Sequence, residues 1–329
     1  MTTYVNGLIG NQDTYSNTGP LQYSFDLSKI EKVYLIPKGL KFTQSDVKSL
    51  YTKLTGTSAI GSVGYSVAEQ RGYPIGDFIG CENKSSEATT TTTGYGSVTF
   101  AKEGKFVWEF EWKKGGFNYH KMLKTFQNAQ EAFDMLIFDI EKNTIVGTTP
   151  YLTGSSATNY VLAGISLELI LLPLPKINTG SNTTQHYIQF SLADSTELTR
   201  RMAVVELPQS QPLNAIKGYR NLEFVEHTNT TAGTYKARIT TDGGAYDLAT
   251  LYGTALAALT ANFSAYNETT GTTPTVTVTY AAATGTINFA LTVSVPSSGD
   301  IVTITPPTIS QLAATIPGFA SAPFTITTP

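Results

Sequence analysis

The segment GKFVWEFEWKKGG, residues 104–116, sets large aromatic side chains alternately against valine and glutamate. Along an extended chain successive side chains point to opposite faces. Phe106, Trp108, Phe110 and Trp112 therefore share one face of a strand, and Val107, Glu109 and Glu111 share the other. The aromatic face belongs in a core, with Trp108, Phe110 and Trp112 as its anchors. The carboxylate face belongs in water, in a cleft, or along a charged surface. Glycosidase carboxylates come from separate elements on opposite sides of a bond, whereas Glu109 and Glu111 project side by side from one strand. A solvated strand face is the better account of them.

The same preference for strands runs through the chain. Charged residues make up 14%, well under the ordinary share of about 25%. Their place is taken mainly by Thr, Ser, Asn and Gly. Thr, with 18 Tyr and 16 Phe, favours the pleated surface of a sheet. Single cores seldom grow beyond roughly 250–300 residues, so a 329-residue chain is expected to form two domains, mainly β. Net charge is −3 with no Lys/Arg cluster, which argues against a protein that grips phosphate backbones. The opening residues lack the basic and apolar regions of a secretory signal. The longest apolar run, YVLAGISLELILLPLP at 160–175, carries Glu168 and ends in prolines, so it reads as a buried strand and not a membrane span. Cys81 is the only cysteine, which excludes an internal disulfide. Asn-X-Ser/Thr triplets at Asn83, Asn182, Asn229, Asn262 and Asn267 read as chance in a Thr-rich chain.

No Lys or Arg follows Arg238. The proline-interrupted segment PQSQPLNAIKGYRN, 208–221, is the expected connection between charged and charge-poor regions. It divides a first domain, residues 1–215, from a second, Thr-rich and charge-poor domain, residues 216–329. In the first domain, KVYLIPKGL (32–40) is a strand. Thr43 and Asp46 form a capping pattern before a helix with Val47, Leu50, Tyr51 and Leu54 on one face. The stretches 55–64 and 84–96 read as loops. Asn118 is expected to cap a helix lined by Met122, Phe126, Ala129 and Phe133, followed by a hairpin turning at Lys142-Asn143. Further strands are expected at 161–172, 186–193 and 201–207. The sum is a β-sandwich or barrel with a flanking helix. In the second domain Asp247 caps a helix whose Leu248, Leu251, Tyr252, Leu256 and Leu259 share a face. A hairpin turning at Thr284-Gly285 and the strand DIVTITPP complete a small α+β or β-sandwich module.

Chemical signatures are sparse. His120, His186 and His227 are far apart with no metal-ligand spacing, and His186 has no recognisable nucleophile to serve. Asp134, Asp139 and Glu141 flank the hairpin and read as solvent-facing. GSVG and GYGS are neither a dinucleotide nor a phosphate loop, and GxSxG, HExxH and zinc-deaminase patterns are missing. No catalytic, metal or cofactor site is expected.

The order strand, helix, hairpin, strand in FVWEFEWKKGGFNYHKMLKTFQNAQEAFDMLIFDIEKNTIVGT, followed by a Thr/Val/Ala-rich module, resembles bacteriophage virion proteins, most of all the major tail tube proteins of long-tailed phages. The C-terminal module is also similar to helix-plus-hairpin modules on phage sheath and tail proteins. Its helix departs from the immunoglobulin-like appendage of many tube proteins. The resemblance implies a homo-oligomeric ring, six-fold in that family, stacked head to tail with other virion proteins. DNA passes through the bore without specific binding, no membrane is involved, and the subunit is made in the host cytoplasm. Glu109 and Glu111 are then candidates to face the bore; an exterior surface is the alternative. The same composition also fits a capsid decoration or head-fibre protein, or a glycan-binding receptor protein.

Overall fold

In a computed structural model of the chain, residues 5–6, 29–55, 72–112 apart from 93, 97 and 103, 116–150, 160–177, 184–216, 218, 220–227, 233–241, 246–308, 311–312, 315–316, 318–321 and 323–328 are described. They are mainly strand, and the sheets curl into half-barrels. Two compact units are present, one ending at Lys217 and the other running from Gly218.

The first unit contains β1 (Val5–Asn6), β2 (Ile30–Pro37), β3 (Lys41–Thr43), α1 (Gln44–Lys48), α2 (Leu50–Leu54), β4 (Tyr73–Gly76), β5 (Phe78–Asn83), β6 (Thr89–Thr92), β7 (Val98–Lys102) and β8 (Val107–Trp112). It continues with α3 (Gly116–Leu123), β9 (Phe133–Asp139), β10 (Thr144–Thr148), β11 (Tyr160–Ala163), β12 (Ile165–Leu171), β13 (His186–Leu192), α4 (Thr196–Thr199) and β14 (Met202–Glu206). Its strand pairings run in one curled row, β4–β2–β9–β12–β13–β8–β5, whose two ends are joined by the chain and not by a ladder. β9 pairs with β2 and β2 with β4; the chain bends at Asp77, whose φ is +59°, into β5; and β5–β8–β13–β12 leads back to β9. The curl encloses one core. Val33, Leu35, Met135, Ile137, Ile165, Ile188 and Phe190 pack there with Trp108, Phe110 and Trp112.

The sheet forks at β9, which pairs with β12 near its start and with β10 near its end, and β10 continues to β14 and β1. Crowding at this fork selects glycine. A Cβ on Gly147 would lie 2.4 Å from the Ala163 carbonyl oxygen, and one on Gly164 would lie 2.6 Å from the Asp134 Cβ. The opposite face of β2 and β9 carries a second core, in which Tyr34, Ile36, Leu136 and Phe138 meet Phe42, Val47, Leu50 and Leu54. The capping box is present, with Thr43 and Asp46 each accepting the other's backbone N–H. The helix is interrupted at Ser49 into α1 and α2.

Several expectations are corrected. Asn118 lies inside α3, which begins at Gly116; after Leu123 the chain makes one 3₁₀ turn, Lys124–Phe126, and then leaves the helical path. Asn128 has a φ of +62° and gives its N–H to the Ile170 carbonyl, so Ala129 and Phe133 never join a helical face. Asp134 and Asp139 are buried, not solvent-facing. Asp134 accepts the N–H of Gly39 (2.8 Å) and Asp139 that of Lys142 (3.1 Å), so each satisfies a turn that the sheet cannot. Within 84–96, expected to be a loop, lies strand β6, which pairs with β7. Of the other expected loop, 55–64, all but Thr55 falls outside the described residues. The segment 207–216 belongs to the first unit and is not a free linker. Asn143 Nδ2 donates to the carbonyls of Leu207 and Pro208, its Oδ1 accepts the N–H of Leu213, and buried Lys32 donates to the Ile216 carbonyl (2.5 Å).

The second unit contains β15 (Arg220–Glu226), β16 (Thr234–Thr241), β17 (Tyr246–Asp247), α5 (Ala249–Ala258), β18 (Ser264–Asn267), β19 (Thr275–Ala281), β20 (Thr286–Thr292), β21 (Ile301–Thr305), β22 (Phe319–Ser321) and β23 (Phe324–Thr327). Its six-stranded sheet runs β19–β20–β16–β15–β22 with β17 on β16, and β18–β21–β23 form a second sheet. Both sheets and α5 share a core that includes Ile239, Leu256, Phe289, Val302 and Ile326. The β19–β20 hairpin turns through Gly285 at φ +62°. Asp247 accepts the N–H of Ala249 at the start of α5. Leu251, expected on the buried face, is 72% exposed. The helix instead presents Ala249, Gly253 and Leu256, because the Tyr280 ring occupies the space where a residue-253 Cβ would sit.

Candidate functional site

Strand β8 lies between β5 and β13 in the half-barrel, and its alternation is realised in three dimensions. Phe110 and Trp112 are fully buried, and Trp108 nearly so, in the barrel core. Phe110 stacks on Phe78 and meets Phe190 edge-on.

On the outer face the register places Glu82 of β5 directly opposite Glu109. Like charges so placed repel, and Lys84 answers both, with Nζ 2.7 Å from Glu109 and 3.6 Å from Glu82. The Glu109 hydrogen bond holds the Lys84 ammonium pKa above its ordinary value. Glu109 itself is only 6% exposed. This corrects the solvated-face reading for that residue: the strand carries it outward, but Lys84 and its neighbours cover it. Glu111, opposite Gly80 and Tyr187, stays partly exposed. On β12, Glu168 takes both Lys105 contacts (2.5 and 2.6 Å) and the Ser191 hydroxyl. The outer face of β5–β8–β13–β12 thus gathers Glu82, Glu109, Glu111 and Glu168 around Lys84 and Lys105.

From β5 and β8 the chain also runs out into the β6–β7 hairpin, a two-stranded sheet of its own. Thr89–Thr92 are exposed, and Tyr95 at the tip is 101% exposed. Isolated two-stranded hairpins are marginal in water. At its base is a cleft of about 170 Å³ lined by Ser85, Ser86, Lys105, Phe106, Ser195 and Thr199, smaller than the roughly 300–1,000 Å³ of ordinary ligand sites.

Sequence spacing missed one cluster. His120 of α3 and His186 of β13 have ring centroids 5.7 Å apart, and both stack on Trp112. The contact joins a helix to a strand distant in sequence, so no local motif could announce it. His227 is not part of this cluster. Among the described residues no group of three or more His, Cys, Asp or Glu is placed to hold a metal ion, and no helix is long and apolar enough to cross a membrane. Cys81 is a free cysteine, and partial desolvation of its thiol raises the pKa.

No known protein family, curated protein or solved structure matches this chain.

Proposed function

We propose that the chain is a non-enzymatic, self-associating structural subunit of a virus particle, most like a tail tube subunit of a long-tailed bacteriophage. Copies form rings that stack into a tube, and DNA passes through the bore without specific binding. The observation that carries this reading is the outer face of β5–β8–β13–β12, where Glu82, Glu109, Glu111 and Glu168 stand against Lys84, Lys105 and Lys176, and from which the exposed β6–β7 arm extends. With Lys84 and Lys105 held by carboxylates, such a lining has little free positive charge with which to displace counterions from phosphates, so DNA slides along it without being held. The arm supplies strand surface for a neighbouring copy, in a heterologous contact that extends instead of closing.

Negative-stain microscopy of the purified chain tests the assembly: rings or tubes are expected, and a monomer at high concentration and under particle-assembly conditions would overturn it. The lining is tested with Glu82→Lys plus Glu111→Lys, which leaves the buried Glu109–Lys84 pair in place. Normal tails with slowed genome ejection are expected; unchanged ejection would remove this face from the bore.

A further inference from the structure

Helix α3 covers one end of the barrel through a cluster of rings. Trp112 and His186, partners in the β8–β13 register, lie 5.7 Å apart, centroid to centroid. Phe117 meets His186 edge-on at 5.1 Å, and Tyr119 meets Trp112 edge-on at 5.5 Å. His186 is 3% exposed and Trp112 fully buried. Trp112 Nε1, His120 Nδ1 and His186 Nδ1 are all shut from solvent without a hydrogen-bond partner. Buried polar atoms are ordinarily paired, and three orphans in one cluster mark a place where packing, not hydrogen bonding, holds these three rings together. That packing suits neutral imidazoles and is hostile to imidazolium ions.

The surrounding charges offer no relief among the described residues. Lys124, just past α3, opposes a proton on His120, as does His186 itself. Tyr119 accepts the Gly76 N–H and is pushed up to about 12 by burial, so it stays neutral; Asp77 lies on its side of the cluster. Lys121 belongs to α3 itself. Glu111 and Tyr187, the neighbours of Trp112 and His186 along their strands, project to the other face, where Lys176 caps the Tyr187 ring. From β5, Phe78 is the residue paired with Trp112.

We propose that His120 and His186 form an acid-release latch: neutral, they clamp α3 onto the barrel end, and protonated, they drive α3 off and uncover Trp112. Burial lowers the pKa of both rings below the ordinary 6.5. Docked α3 therefore binds fewer protons than released α3. The clamp is at full strength above pH 6.5 and weakens as pH falls through and below that value.

The test uses the full chain. Hydrogen exchange of amides 116–123, corrected for intrinsic rates, is compared at pH 7.5 and pH 5, with β9 amides as an internal reference. Between the released-state and docked-state pKa values each unit of falling pH opens the helix by up to about ten-fold per depressed histidine, and below the docked-state value the effect levels off. A loss of α3 protection at pH 5 is expected, with β9 unchanged. Equal protection of α3 at both pH values would overturn the latch. In His120→Phe plus His186→Phe, which keeps the rings and removes the charge, the pH dependence should vanish; its persistence would equally overturn it. Should that variant not fold, side-chain NMR titration of the parent decides: a pKa at or above 6.5 for both histidines refutes the proposal, and depressed values for both support it.

Discussion

The two units solve the same packing problem with different materials. The first is a forked barrel whose interior carries Lys32, Asp134, Asp139, Glu197 and Arg201 as buried charges. The second packs two sheets and a helix, and its buried polar groups are Thr241, Asn267, Thr286, Asp300 and Thr328. The difference follows from regularity. Where β9 forks and the chain leaves the ladder, backbone groups lose their partners and side chains must supply them. Glu197 accepts the N–H and hydroxyl of Ser166, and Asp134 accepts the Gly39 N–H. Among the described residues the second unit has a comparable knot. Asp300 accepts from Asn267 Nδ2 and from the Ser297 N–H, and Asn267 Oδ1 takes the N–H groups of Thr269 and Thr270. Charge is thus concentrated where the topology is irregular, which explains how a region without a single Lys or Arg beyond Arg238 still forms a well-packed core.

Emptying each core in turn gives the largest expected effect. Trp112→Ala should cost about 3–5 kcal/mol through lost transfer energy and the cavity left behind, and so should Phe289→Ala in the second unit. Both tryptophans, Trp108 and Trp112, lie in the first unit, so intrinsic fluorescence reports on that unit alone. Phe289→Ala should lower a circular-dichroism transition and leave the fluorescence midpoint in place. A shift of both together would mean that the units unfold as one.

Glycine substitutions sharpen the contrast. A Cβ at position 147 meets the fixed Ala163 carbonyl, whereas at 253 it meets the Tyr280 side chain, which must swing aside as a whole because its Cγ is 2.8 Å away. Gly147→Ala should cost about 1–3 kcal/mol or more. Gly253→Ala should cost less, because up to about 1 kcal/mol of helix propensity offsets the crowding. Denaturant midpoints of the two variants, read by circular dichroism, check the order.

The outer face of β8 gives a smaller split. Glu109→Lys sets a second ammonium against Lys84 in a covered position and should cost about 1–3 kcal/mol, while Glu111→Lys should stay within about 0.5 kcal/mol. Equal effects on the fluorescence midpoint would show that Glu109 is not covered as described.

The smallest effect is electrostatic. Burial opposes ionisation of Asp194, but hydrogen bonds from Thr196 and the Arg201 guanidinium outweigh it and hold the carboxyl below its ordinary 3.8. The stabilisation is therefore present above pH 3.8 and lost as pH falls through the folded-state value. Asp194→Asn should lower the midpoint at pH 7, and the gap to the parent should close below pH 3.8. A gap independent of pH would assign the effect to packing.

Much of this architecture is local and was legible along the chain. Period-two alternation placed the β8 rings in the core, the Thr43/Asp46 pair marked the start of α1, and Thr284-Gly285 marked the β19–β20 turn, because each depends on residues within a few positions of one another. What only the tertiary structure decided involves distant partners. Asp134 and Asp139 are buried because the sheet forks around them. Glu109 is covered because β5 brings Glu82 and Lys84 alongside it. Leu251 turns outward because Tyr280 claims the helix face at Gly253. His120 meets His186 because α3 folds back onto the barrel end. Periodicity states which side of an element a residue occupies; whether that side meets water, a charge or another ring is fixed by which strands pair, and pairing is a property of the whole fold.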